Sequence, residues 1–181
     1  MRFRLERLLP AILSVALLGC GAQPSPHAEG ASRLDTSALP LTARTLLSTL
    51  SASQRDDATF PFDDPERTRW AYVPQKRAGI PLKAMEAEQR AAAFGVLGTG
   101  LSERGTGLAR GIIELEGTLG ELEGVFSRVV LRRDPELYYL ALFVGPGGTR
   151  PWGWRFEGHH LSVNVTELGP HGQIVAPLFM G

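Results

Sequence analysis

The sequence predicts an α+β domain, helices followed by an antiparallel β-meander. Helical periodicity fills the first half of the part that folds, strand-like apolar runs replace it from Arg132 onward, and the links between those runs are too short for parallel crossovers.

The elements follow in chain order. Thr42 to Arg55 is predicted as a short surface helix: Leu46, Leu47 and Leu50 share a face, and Thr42 can accept from free backbone N–H groups. Pro61 and Pro65 stop it by removing donors and restricting the residues before them. Trp70 to Val73 then reads as a short strand ending at Pro74. Met85 to Leu97 carries good helix formers, Glu88, Gln89, Arg90 and Ala91 to Ala93, behind a weak cap. A further helix is predicted over Gly107 to Phe126, where Leu108, Ile112, Leu115, Leu119, Leu122 and Phe126 recur at helical spacing and form a core-facing stripe. Gly111, Gly117, Gly120 and Gly124 weaken it by up to ~1 kcal/mol each, which fits close packing against a neighbour.

Leu137 to Val144 is apolar on both parities, as in a strand buried on both faces. Gly145 to Gly148 turns the chain into a long strand, Trp152 to Thr166. Gly169 to Gly172 turns it again into a last strand, Gln173 to Phe179.

Ahead of this domain the chain reads as an address. Arg2, Arg4 and Arg7 precede an apolar run, Leu8 to Leu18, which is about half the ~20 residues needed to cross a bilayer. Leu17-Leu18-Gly19-Cys20 resembles the lipobox of bacterial lipoproteins, with cleavage before Cys20 and lipid on its thiol. Residues 1–19 are thus a signal peptide, and 20–40, rich in Pro, Ser, Gly and Ala, a lipidated cysteine and tether. Gly21 and Ala22 carry no inner-membrane retention signal, so the resemblance implies an outer-membrane address facing the periplasm. Residues 41–181 form the single folded domain. The full chain has 19 basic and 19 acidic groups. Without residues 1–19 the balance is 16 to 18, which argues against a nucleic-acid partner. Cys20 is the single cysteine, so no internal disulfide forms.

Several segments in order carry a family resemblance: Phe60-Pro61-Phe62-Asp63-Asp64-Pro65-Glu66-Arg67, Gly79-Ile80-Pro81-Leu82-Lys83, Arg133-Asp134-Pro135-Glu136-Leu137-Tyr138 and, most specific, Pro151-Trp152-Gly153-Trp154-Arg155-Phe156-Glu157-Gly158-His159-His160. From about Leu41 to Gly181 the chain resembles the bacterial domain of unknown function 3500 family, which implies no settled reaction. Glu86 stands where the family usually has a Thr cap, and members commonly extend past the strand that here ends in Phe179-Met180-Gly181. The resemblance thus leads to the expectation that a C-terminal helical part is lacking.

Chemistry concentrates in Arg155-Phe156-Glu157-Gly158-His159-His160. The catalytic candidates are His159, His160, Glu157 and Arg155, with Arg155 suited to a carboxylate or phosphate. The metal candidates are His159, His160 and Glu157, for a divalent ion completed by Asp63, Asp64 or Glu66. On an unbroken strand Arg155, Glu157 and His159 share one face and His160 the other; a bulge at Gly158 would bring Glu157 to His160. A structural network, with Arg155 paired to Glu157 and the histidines bonded to backbone groups, explains the same residues. Asp64-Pro65-Glu66 and Asp134-Pro135-Glu136 are read as capped turns. No nucleophile elbow, phosphate loop or dinucleotide fingerprint occurs.

Two functions follow as expectations. One is a membrane-anchored envelope lipoprotein with a small-molecule or metal site at this segment. The other is a non-enzymatic envelope interaction protein in which the segment is structural.

Overall fold

The computed structural model describes residues 37, 39–124, 133–146 and 151–181. The signal peptide, Cys20, most of the tether, Phe126 and the Gly147-Gly148 turn lie outside the described residues. Leu39, assigned above to the tether, is buried in the core.

The predicted first helix is two: α1 (Leu41–Thr49) and α2 (Ala52–Ala58). Ser51 breaks it. Its hydroxyl accepts from Gln54 N–H while the Gln54 side chain accepts from Ser51 N–H, a capping box that starts α2. The cap proposed for Thr42 is not made, since Pro40 occupies the N-cap. After β1 (Thr59–Pro61) a short 3-10 turn, Pro65–Thr68, is capped by Asp64, whose carboxylate accepts from Glu66 N–H at 2.8 Å. Asp134 does the same for Glu136 at 2.9 Å, so both Asp-Pro-Glu tripeptides are caps as read. β2 (Ile80–Pro81) leads to α3 (Ala87–Gly100), where Gln89 accepts from Glu86 N–H in place of a hydroxyl cap. α4 (Glu103–Leu122) begins at Ser102.

β3 (Tyr139–Val144), β4 (Trp152–Gly158), β5 (Leu161–Glu167) and β6 (Gln173–Met180) form the antiparallel meander. On the far edge of β3, β1 pairs parallel to its second half and β2 antiparallel to its start, giving six strands. The class is α+β. Alternation then sorts the sheet into two faces. Tyr138, Leu140, Leu142, Trp154, Phe156, Val163 and Val165 face α1, α3 and α4 in one apolar core. Tyr139, Ala141, Phe143, Arg155, Glu157, Ser162 and Asn164 lie on the other parity, under the segment 62–79.

Three expectations are corrected. Trp70 to Val73 is not a strand, because its peptide groups bond to side chains instead of to a neighbouring strand, as described below. Trp152 to Thr166 is two strands: Gly158 pairs with Leu161 and His159-His160 make a tight turn, His160 taking φ 59°. Finally, α4 does not turn its leucine stripe to the core. Leu108, Leu115 and Leu122 are 54%, 53% and 78% exposed, and the buried side is Ala109, Ile113, Glu116 and Gly120. Small residues let this helix lie close to its neighbours, and a glutamate sits among them.

Candidate functional site

Arg155 and Glu157 project from β4 to the outer face and are 1% and 2% exposed. Their charges are held at 2.9 Å (Arg155 Nε to Glu157 Oε1), and Arg155 also meets Glu66 Oε1 at 2.9 Å through Nη2. Arg155 Nη1 donates to the carbonyls of Glu66, at 2.6 Å, and of Arg69. Arg77, equally buried, donates to the carbonyls of Ala71 (3.2 Å), Val73 (2.6 Å), Gln75 (2.9 Å) and Gly158 (2.9 Å), and its Nε lies 3.8 Å from Glu157. Glu157 in turn accepts from Ala71 N–H at 3.2 Å and from Ser162 at 3.4 Å. Two guanidinium groups and two carboxylates thus replace the ladder that segment 62–79 lacks. Burial raises the Glu157 carboxyl above its ordinary range despite Arg155 beside it, and burial lowers Arg77.

The histidines belong to a different place. Gly158 ends β4 against the Tyr138 ring, which a Cβ at that position would strike, and the Tyr138 hydroxyl donates to His159 O at 2.7 Å. The turn so fixed carries His159 to the helix side, where Nδ1 lies 2.7 Å from Glu116 Oε1. Glu116 is 3% exposed and is also faced by Arg133 at 3.5 Å from both oxygens; Arg133 grips Glu123 as well, at 2.5 and 3.0 Å. With the Glu116 carboxylate accepting from Nδ1–H, Nε2 is the ring nitrogen left outside the pair. Nε2 makes no hydrogen bond among the described residues. The His160 ring lies beside it, centroids 4.2 Å apart and tilted by 56°, and its own side chain is likewise without a hydrogen bond there.

A cleft of about 510 Å³ opens beside this turn, with Asp57, Lys76, Arg77, Asp134 and Tyr139 among its walls. A second, smaller pocket of about 20 Å³ shares Arg77, Asp134, Leu137 and Tyr139 with it and includes His159 in its lining. Asp134 in that wall is paired with Lys83 at 2.8 Å. Charged groups of both signs over an apolar floor suit a small polar ligand.

Residues 33–181 match the model of a protein family described as a protein of unknown function, DUF3500. The chain belongs to the DUF3500 family. No curated protein and no solved structure matches it.

The DUF3500 chain therefore pairs Arg155 with Glu157, as the structural reading of the segment proposed, adds Glu66, named above as a metal ligand, and separates both from His159, whose ring meets Glu116 and not a backbone group. Asp64 is occupied as a cap. His159, His160 and Glu157 do not converge on one point, and among the described residues no three His, Cys, Asp or Glu side chains gather to hold a metal. Glu116 and Arg133 were not singled out by sequence reasoning. The signal was present: Ala109, Ile113, Glu116 and Gly120 repeat at the same helical spacing as the leucines and mark a second, small-residue face with one carboxylate in it.

Proposed function

We propose that this protein is an envelope lipoprotein, anchored through Cys20, whose folded domain binds a small polar molecule in the cleft beside β2 and β3. His159, oriented by Glu116, serves there as the proton acceptor toward the ligand. The observation that carries this reading is the 2.7 Å contact between buried Glu116 and His159, which lines a small pocket sharing four residues with the cleft. A carboxylate that orients an imidazole while its second nitrogen stays unbonded is the arrangement general-base chemistry needs. Lys76 and Asp57 at the mouth supply charges of both signs for orientation.

The anchor rests on the Leu-Leu-Gly-Cys20 sequence after a short apolar run. Among the described residues no helix is long and apolar enough to cross a membrane. Labelling cells with an alkynyl fatty acid is expected to mark the wild type and not Cys20→Ser; an unlabelled wild type removes the anchor from the reading.

The site is tested by thermal-shift measurements with a panel of amino acids, dipeptides and small carboxylic acids. A compound that raises the melting temperature of the wild type and not of folded His159→Ala or Glu116→Gln supports it. A panel hit that stabilises all three proteins equally sinks it. The second reading, an interaction protein whose Arg155 to His160 segment serves folding, draws on the outward leucines of α4, an apolar stripe open to solvent.

A further inference from the structure

We propose that Trp70, Tyr72 and Phe179 form an aromatic platform for a neutral carbohydrate chain, held open by the buried Arg–Glu network beneath it. This chain has three tryptophans; Trp152 and Trp154 are 2% and 1% exposed, while Trp70 is 39% and Tyr72 47% exposed. These two exposed rings continue into half-buried Phe179 and His160. Trp70 and Tyr72 have centroids 6.2 Å apart, Tyr72 and Phe179 4.9 Å, and Phe179 and His160 6.4 Å, with tilts of 38°, 38° and 36°.

The backbone explains why they stay outside. Ala71, between the two rings, is clamped from both ends: its N–H goes to Glu157 and its carbonyl to Arg77. Arg77 also takes the Val73 carbonyl, and the Tyr72 carbonyl accepts from His160 N–H at 3.0 Å. With Ala71 fixed inward over the charged pair, its neighbours on either side project away, and Tyr72 lands on Phe179 at the edge strand β6. A segment with no regular hydrogen-bond ladder thereby presents its rings in one arrangement before any ligand arrives, which removes much of the ordering cost of binding.

The rings select the ligand. Indole and phenol each combine an apolar face with a polar edge, and the Phe179 phenyl adds apolar surface beside them, the complement of a sugar ring whose C–H face is apolar and whose rim is hydroxyls. Arg69, adjoining the row, faces Glu66 at 3.6 Å, and the chain without residues 1–19 has fewer basic than acidic groups, so a polyanion is not the match.

The test is calorimetric titration of the full chain with chitotetraose and with cellotetraose, read in parallel by tryptophan emission, in which Trp70 is the exposed reporter. Saturable binding of either sugar is expected, about tenfold weaker in Trp70→Ala and in Tyr72→Ala and unchanged in Lys76→Ala. Trp70→Phe, which keeps an apolar face at the same place, controls for folding and should lose less. The proposal is overturned by no saturable binding of either tetrasaccharide, by equal affinity in folded Trp70→Ala and wild type, or by tetramethylammonium binding at the row in preference to both sugars. Lys76 belongs to the cleft, so loss of cleft binding with the sugars still bound leaves this platform standing, and the reverse result removes it alone.

Discussion

The two faces of the central sheet are buried to the same degree by opposite means. On the helix side Trp154, Phe156, Leu140 and Val163 meet helices whose backbone groups are satisfied internally, so apolar contact is enough. On the other side a segment without helix or ladder lies over the same strands. Its carbonyls at Glu66, Arg69, Ala71, Val73 and Gln75 need donors, and Arg155 and Arg77 supply them. Charge is buried there because an irregular cover brings unsatisfied backbone with it, and Glu157 and Glu66 are present to balance the cations.

If that account is right, breaking either face should be equally severe. Arg155→Met is expected to cost about 3–5 kcal/mol by removing the nearest cation from buried Glu157, which keeps only Arg77 at 3.8 Å, and by orphaning the carbonyls of Glu66 and Arg69, matching about 3–5 kcal/mol for Phe156→Ala on the apolar face, both read by urea denaturation. The double variant Arg155→Met, Glu157→Leu should recover at least about 1 kcal/mol of the first loss. No recovery would mean that Arg155 matters for the carbonyls it binds and not for its charge partner.

The next contrast lies within α4. Ile113→Ala, on the buried side, should cost about 2–4 kcal/mol, whereas Leu115→Ala on the exposed stripe should stay within about 0.5 kcal/mol. Equal losses would show that the leucine stripe is covered in solution.

A smaller effect separates burial from charge pairing at Glu157. Its carboxyl is raised in the folded state, so the folded protein holds that proton to higher pH than the unfolded chain. The stability linked to it is present below the ordinary carboxylate range and is lost as pH rises through the raised value. Wild type should therefore gain on non-titrating Glu157→Gln as pH falls from neutral into the ordinary carboxylate range; a change of the opposite sign would show that Arg155 and Arg77 outweigh burial. A small effect is also expected at the half-exposed pair of Arg90 with Glu136, 2.6 Å apart. Arg90→Ala should cost under about 1 kcal/mol, and a larger loss would trace to its 3.0 Å bond to the Met85 carbonyl.

Much of the frame was legible because it depends on local rules. The double-parity apolar run became β3, the Asp-Pro-Glu tripeptides became caps, and α3 starts within two residues of its predicted place. Boundaries failed where one side chain outvoted the pattern, as when Ser51 with Gln54 split the first helix. The site was less legible. Arg155 with Glu157 follows from alternation on one strand, but Glu66 and Arg77 lie far away in the chain, and Glu116 is 43 residues from His159.

The sequence by itself determined the class, the order of helices and strands, and the concentration of polar groups between Arg155 and His160, since these rest on period, turns and composition. The tertiary structure alone decided which face of α4 is buried, which carboxylate each charged group meets, and that Trp70 stays outside while Trp154 goes in. Periodicity defines a face without naming what it touches; only packing brings residues distant in the chain close enough for charge, hydrogen bonding and shape to choose between partners.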